Sequence, residues 1–487
     1  MSNAPSTNNQ KLGLFALIAI VVSTMIGSGI DGLPQNMAAS SALGPVIIAW
    51  LICGFGMFFI ARTFITLSNI RPDLSSGIYM YPSEGFGPFV AFISAWGYWF
   101  MTMFSNVAFT IMVMDVLNYF LPGDFKGGNN IASLIGASIL VWGFNFLVLS
   151  GTKAASLLNL IGTFAKMIPL IVFIFILIYY LNYNLFITDI WGHAAVNPKQ
   201  QLGSILDQVI SPLDVAIWCF IGVESAVALS NRAKNKKDIG KATFIGFMIS
   251  LTVCILVSIL PFGVLNQQQL SQIATPSTAG VLKIISGEWG EWLINIGVLV
   301  SILASWLAWT MICAEVPMVA AQNGTFPKQF AKKNKNDSAS VSLWTSSFIM
   351  QAIVILIYFS KNAWLTMLAI STITVLPAYF ASAAYLLKLN IQKDSTYKLR
   401  AKARITAIFS SVVSIIFCLF MLYASDFRYV AMTPLLITLG LPFFIWARKK
   451  DPNTVHIFAG REWIYLAVLI LLDMMTIALY YNGIISF

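Results

Sequence analysis

Thr24-Met-Ile-Gly-Ser-Gly-Ile-Asp-Gly-Leu-Pro-Gln-Asn36 interrupts an apolar run, residues 12–39, that is otherwise long enough to cross a bilayer as one helix. Gly27, Gly29, Gly32, Pro34 and the carboxylate of Asp31 fall within eight residues. Each glycine weakens a helix by about 1 kcal/mol relative to alanine. In hydrocarbon, unwound backbone persists only where it is buried in protein or lines a cavity, so the break implies a site. A second half-helix starting near Asp31 would aim unpaired N–H groups and a positive dipole end at that cavity, a seat for a small carboxylate. That is the arrangement of a membrane carrier.

Composition agrees. Of 487 residues, 58% are hydrophobic and 10% charged, and the mean hydropathy is +0.80. These values exclude a soluble globular domain and a disordered chain. The chain reads as an all-α polytopic membrane protein, with the lipid bilayer as its first partner. Apolar runs place thirteen spans near 12–39, 44–68, 85–120, 131–149, 157–181, 209–231, 239–263, 290–322, 341–359, 362–388, 404–423, 428–447 and 463–485. The run 85–120 exceeds a bilayer's thickness, so that helix is expected to tilt strongly or extend beyond it. The segments 182–208 and 264–289 are expected to carry short surface helices. The first run begins after Lys11 with no small-residue cleavage site, which reads as a retained span and not a signal peptide.

The net charge of +10 is explained by position and needs no nucleic acid. With the N-terminus inside, 23 of the 29 Lys and Arg residues fall in inner segments and five in outer ones, while Lys166 alone lies mid-span. The expected topology is a cytoplasmic N-terminus and, with an odd span count, an extracellular C-terminus. The five cysteines all lie in apolar runs without paired spacing, which suggests neither a disulfide framework nor a metal cluster. His193 and His456 fall in loops, away from any membrane proton relay.

An inverted repeat would place a second break five spans later. Span six reads Asp214-Val-Ala-Ile-Trp-Cys-Phe-Ile-Gly-Val-Glu-Ser-Ala226, with Gly222 and Glu224 at its centre. The expected organisation is a tail over 1–11, a first repeat over 12–181, a second over 209–388, and peripheral spans over 404–487.

These residues carry a resemblance. Gly27-Ser-Gly-Ile30, Pro34-Gln-Asn36, Trp218…Phe220-Ile-Gly-Val-Glu224 and Gly324-Thr-Phe-Pro327 resemble the amino acid, polyamine and organocation transporter superfamily. More narrowly, they are similar to its basic amino acid and polyamine antiporters, which include arginine/ornithine, arginine/agmatine, lysine/cadaverine and histidine/histamine exchangers. The resemblance implies a five-plus-five inverted-repeat core working by alternating access in a cell membrane, as a monomer or homodimer and without a cofactor. It further implies that Ser28 and Gly29 hold a substrate carboxylate, and that carbonyls around Ile26, Trp218 and Ile221 receive an α-ammonium. Trp218 and Tyr98 would be gate members, Trp309 a stacking platform, Asn106 a contact to the substrate side chain, and Glu224 a carboxylate tied to gating. Lys166 resembles the lysine that takes the place of a bound sodium ion in proton-dependent relatives.

Asp31 departs from the pattern, in which an apolar residue, commonly Phe, follows the break. A buried carboxylate is costly in a membrane, at least about 2.5 kcal/mol. It could cap the second half-helix or face a cationic substrate. Lys166 is read as paired or proton-responsive, against a lysine snorkelling to the interface. Glu315 on span eight is either functional or a packing hydrogen bond, and Asp115 and Asp473 are read as structural. On Asp31 and the tryptophans, histidine/histamine exchange ranks first, arginine/ornithine or lysine/cadaverine exchange second, and a proton-coupled importer third. An enzyme lacks a nucleophile with a base, a sensor lacks a soluble domain, and a channel fits two broken helices poorly.

Overall fold

The computed structural model describes residues 11–27, 29–74, 77–193, 202–360, 362–392, 401–450 and 456–485. Among these the chain is helical throughout, with one isolated β-bridge between Leu12 and Ala233 and no strand. Twelve helices are long and apolar enough to cross a membrane. They coincide with twelve of the thirteen expected spans. The remaining one, span six, is not a continuous helix: Leu213–Trp218 and Ser225–Ala228 flank an unwound stretch. Its backbone is paired within tight turns, Phe220 N to Ile217 O at 2.9 Å and Ser225 N to Gly222 O at 2.9 Å, as buried backbone must be.

Span one is broken as well, into Leu14–Met25 and Gly29–Ala38. Span three, Pro88–Phe120, has 33 residues and span eight, Glu288–Gln322, has 35. At 1.5 Å per residue each reaches roughly 50 Å against a hydrocarbon core of about 30 Å, so both extend past it or tilt. The surface segments hold the short helices Tyr183–Ile187, Ile205–Ile210, Gln267–Ser271 and Ser277–Ser286.

Burial sorts the helices. Spans one, three, eight and ten are enclosed by the others, while spans four, five, twelve and thirteen present most of their surface outward. Span five, Thr152–Tyr180, shows the sorting on one helix: Leu157, Ile161, Phe164 and Ile168 are exposed, and Ser156, Asn159, Thr163 and Lys166 are buried. All five cysteines are buried and free.

Contacts gather the basic loops on one face. Leu12 N donates to Arg232 O at 2.7 Å, Lys236 Nζ to Pro72 O at 2.9 Å, and Asn334 Nδ2 to Leu149 O at 2.8 Å. The opposite face joins Gly44 N to Ile190 O, Asn182 N to Gly263 O, and Asn129 Nδ2 to Ser360 O. This is the two-sided grouping that the charge pattern demands.

Candidate functional site

The first half of span one ends at Ile26, whose backbone leaves the helical region at φ −87°, ψ 82°. A helix C-terminus leaves carbonyls unpaired, and a cation is the natural partner. Lys166 supplies it. Its Nζ donates to Ile26 O at 2.5 Å, Ser23 O at 3.1 Å, Ser23 Oγ at 3.2 Å and Ser305 Oγ at 3.0 Å. Lys166 is 1% exposed, so the snorkelling alternative is gone. The Ile26 carbonyl also accepts from Ser305 Oγ at 2.9 Å. The expectation that it receives a substrate ammonium therefore meets a carbonyl already engaged twice.

The two breaks meet. Thr24 Oγ1 donates to Ile20 O at 2.9 Å and lies 3.1 Å from both Gly222 O and Ser225 Oγ. Gly222 has φ +112°, and a Cβ there would lie 2.6 Å from the Thr24 side chain, so both conformation and space call for glycine. Two residues on, Glu224 is fully buried. Its Oε1 accepts from Tyr98 at 2.7 Å, and its Oε2 from Tyr379 at 2.5 Å and from Gly222 N at 3.2 Å. One carboxylate thus ties span six to span three and to span ten, Ala363–Thr374 with Leu376–Ile391.

Between the breaks lies a cavity lined by Thr24, Met25, Gly27, Ser105, Phe109, Trp218, Ile221 and Trp309. Its volume is about 10 Å³, room for about one water. Trp218 covers Gly29 so closely that a Cβ there would lie 2.5 Å from the indole. The rings of Phe109 and Trp364 flank Trp218 at 6.1 and 6.0 Å between centroids. Trp309 Nε1 donates to Thr24 O at 3.2 Å, which fixes the indole plane beside the cavity. Asn106, one residue beyond Ser105 on span three, is fully buried with both side-chain polar atoms unpartnered among the described residues. An orphaned amide in such a place is suited to a polar ligand.

The structure thus brings Gly27, Trp218, Ile221 and Trp309 to one cavity, with Gly29 under Trp218, Asn106 adjacent, and Tyr98 joined to Glu224. Ser28 lies outside the described residues. Asp31 is not in the cavity lining. It is 2% exposed, its Oδ1 accepts from Thr278 Oγ1 at 3.3 Å, and its carbonyl oxygen accepts from Ser277 Oγ at 3.1 Å. The carboxyl is thus engaged by Ser277–Ser286 and lies outside the cavity lining, with its Oδ2 unpartnered among the described residues, so no contact in the structure supports a countercharge at the cavity.

Tyr379 was not foreseen in the sequence. It is 155 residues from its carboxylate partner, and only the run of small residues around it, Ala378, Ala381, Ser382 and Ala383, hinted at close helix packing. Glu315 proves to be an ion-pair residue: Arg232 Nη2 lies 3.0 Å from its Oε2, and Arg232 Nη1 lies 2.6 Å from Asp337 Oδ2. Asp115 accepts from Gly127 N at 2.8 Å and Asp473 from Thr438 Oγ1 at 2.5 Å, local structural uses both.

The sequence model of the amino acid permease family matches residues 12–478. A protein of Chlamydia felis named arginine/agmatine antiporter is 49% identical over 481 residues, covering 99% of this chain and 98% of that one. Proteins of the same name from Chlamydia pneumoniae and from Chlamydia trachomatis serovar L2 are 48% and 45% identical, covering 98% and 96% of both chains.

Proposed function

The chain belongs to the amino acid permease family, within the amino acid, polyamine and organocation superfamily, and from that premise we propose that it exchanges external arginine for internal agmatine. The observation that carries this reading is the near-identical length and 49% identity to a named arginine/agmatine antiporter. It displaces histidine/histamine exchange, which rested on Asp31 as a countercharge. It also favours the arginine-type alternative over lysine/cadaverine.

Arginine and agmatine share a guanidinium and an amine and differ by one carboxylate. A guanidinium stacks on an indole face, and Trp309 and Trp218 offer two; such a contact contributes about 0.5–2 kcal/mol once water is excluded. Asn106 supplies acceptor and donor beside them. The arginine carboxylate would meet the N–H groups at Ser28 and Gly29, where the outer half-helix begins. Agmatine lacks that contact, so each substrate can displace the other at one site. Because the cavity holds about one water as it stands, loading requires Trp218 to move off Gly29, and the Glu224 bridge to Tyr98 and Tyr379 sets how readily span six follows. The basic loops put the N-terminus in the cytoplasm of a cell membrane. Agmatine carries one more positive charge than arginine, so each cycle moves one charge outward, worth about 2.3 kcal/mol per 100 mV.

Proteoliposomes loaded with agmatine should take up labelled arginine, and empty vesicles should not. Uptake restricted to histamine-loaded vesicles given histidine, or to ornithine-loaded vesicles, would overturn the pair. Uptake into empty vesicles driven by a proton gradient would instead favour the proton-coupled importer.

A further inference from the structure

Span three is the rod that carries much of the site. From Pro88 to Phe120 it is one helix of 33 residues. Tyr98 on it joins Glu224, Ser105 and Phe109 line the cavity, and Asn106 lies beside them. At 1.5 Å per residue, Tyr98 stands about 14 Å and Asn106 about 26 Å along the axis from Phe89. The angle at which the helix is mounted therefore sets where both side chains fall.

The mount is supplied from far away in the chain. A helix N-terminus leaves N–H groups unpaired, and the N-cap here is Gly87, which has no side chain to receive one. The Phe89 N–H is instead received at 2.9 Å by Glu462 Oε1, 373 residues on, at the start of span thirteen, Glu462–Tyr481. Its Oε2 accepts from Ala459 N at 2.9 Å, and the residue is 5% exposed. A carboxylate in that place also meets the positive end of the helix dipole. Around it, the Phe89 ring packs on Phe444 and Phe458 at 5.2 and 5.4 Å between centroids. Two turns further along span three, Trp96 Nε1 donates to Leu436 O of span twelve, Phe427–Thr438 with Leu441–Lys449, at 2.9 Å. Span thirteen is tied to span twelve in turn, through Thr476 Oγ1 to Ala431 O at 2.6 Å and through Asp473 and Thr438. Of its 20 residues only Glu462, Leu469, Asp473 and Thr476 are buried. Three of those four are polar, and polar groups are costly to keep in a membrane helix without a use.

We propose that Glu462 is a positioning residue for exchange: through the Phe89 N–H it fixes the tilt of span three, and with it the place of Asn106 against the substrate side chain. The proposal rests on the exchange reading above. Spans twelve and thirteen are then the mount of the transport core and not a lipid-facing appendage. The consequence is specific. Span three meets the guanidinium end, which arginine and agmatine share, whereas the carboxylate is met by span one. Loosening the mount therefore weakens both substrates by the same factor.

The test has one arm without substrate and one with it. Glu462→Ala removes both acceptor oxygens. Amide hydrogen exchange, read by mass spectrometry on the full-length protein in detergent, should speed up over residues 88–96 and stay as it was in span five. In agmatine-loaded proteoliposomes, the concentration of labelled arginine that half-saturates uptake should rise about tenfold, with the saturated rate changed far less. Labelled agmatine entering arginine-loaded vesicles should show the same rise. Glu462→Gln keeps an oxygen for Phe89 N and gives up only the Ala459 contact, so it should stay near the wild-type values in both arms. Should the alanine variant not fold, Glu462→Asp, one methylene shorter, replaces it with the same expected direction. Unchanged amide exchange over 88–96 overturns the proposal. So do half-saturating concentrations that stay put while the melting temperature falls, which is what a merely structural bond would give, and so does a glutamine variant that behaves like alanine. Wild-type vesicles that exchange neither substrate would overturn the exchange reading instead, and the amide arm would still decide whether Glu462 holds span three.

Discussion

The two interruptions are held open by opposite kinds of polar group, a donor and an acceptor, delivered in opposite ways. At the first, the groups left over are carbonyls at the end of Leu14–Met25, and the stabilising donor, Lys166, is brought from another helix. At the second, the acceptor Glu224 belongs to the interrupted segment itself, accepts the N–H of Gly222, and reaches outward to two tyrosines. The first break is supported from outside, and the second anchors its surroundings. Loss of a support at the first should leave the rest of the protein in place; loss of the anchor at the second should loosen three helices together.

Substituting glycine tests this most severely. Gly222→Ala adds a Cβ 2.6 Å from Thr24 at a backbone φ of +112°, and we expect folding yield and exchange to collapse. Gly27→Ala places its Cβ 3.0 Å from the edge of the Phe109 ring, which can rotate away, so it should keep measurable exchange. Equal damage from both would erase the distinction. Below the second break, Arg232→Ala strips Glu315 of its partner, and a buried carboxylate left so costs about 3–5 kcal/mol, readable as a fall in melting temperature in detergent. Lys166→Met orphans the Ser23 carbonyl, and about 1–3 kcal/mol should be lost without change in how Tyr98 and Tyr379 engage Glu224. Glu224→Gln can keep its oxygen on Tyr379 and Gly222 N but then opposes its amide to the Tyr98 hydroxyl, so it should lower the exchange rate more than the melting temperature. The reverse pattern would make Glu224 a plain structural bond.

The mildest effect is electrostatic. Partial burial would raise the Asp337 carboxyl, yet hydrogen bonds from Lys333 and Arg232 and the Arg232 charge outweigh it and hold it below the usual carboxylate value. A depressed group stabilises the fold above its ordinary pKa and gives that up as pH falls through the lowered one. Melting temperature should therefore decline on acidification, and Asp337→Asn should flatten that decline. An unchanged acid slope in the variant would remove Asp337 from the clamp.

Much of this was legible because membranes enforce it. A span of about 20 apolar residues and a glycine-rich interruption leave few alternatives, so the helix positions, the first break and the grouping of basic loops could be read from the chain. The second break showed through one glycine and one carboxylate, and needed the first for company. What stayed hidden is what helix phase and distance decide. Nothing local says that Asp31 points to Thr278 and not to Trp218, since a rotation of one residue along the helix turns a side chain by about 100°. Nor does sequence announce that Tyr379 reaches Glu224, or that Lys166 finds Ile26, because those partners are 155 and 140 residues apart.

The bridge at the chain's start has a mechanical meaning. Leu12 N donates to Arg232 O and Lys234 N donates back to Leu12 O, at 2.7 and 2.8 Å. Thr24 meanwhile fastens the half-helix Leu14–Met25 to Gly222 and Ser225. The first half of span one and the second half of span six, some 200 residues apart in the chain, are thus pinned at two points and lose the freedom to swing separately. A displacement of one half-helix carries the other with it.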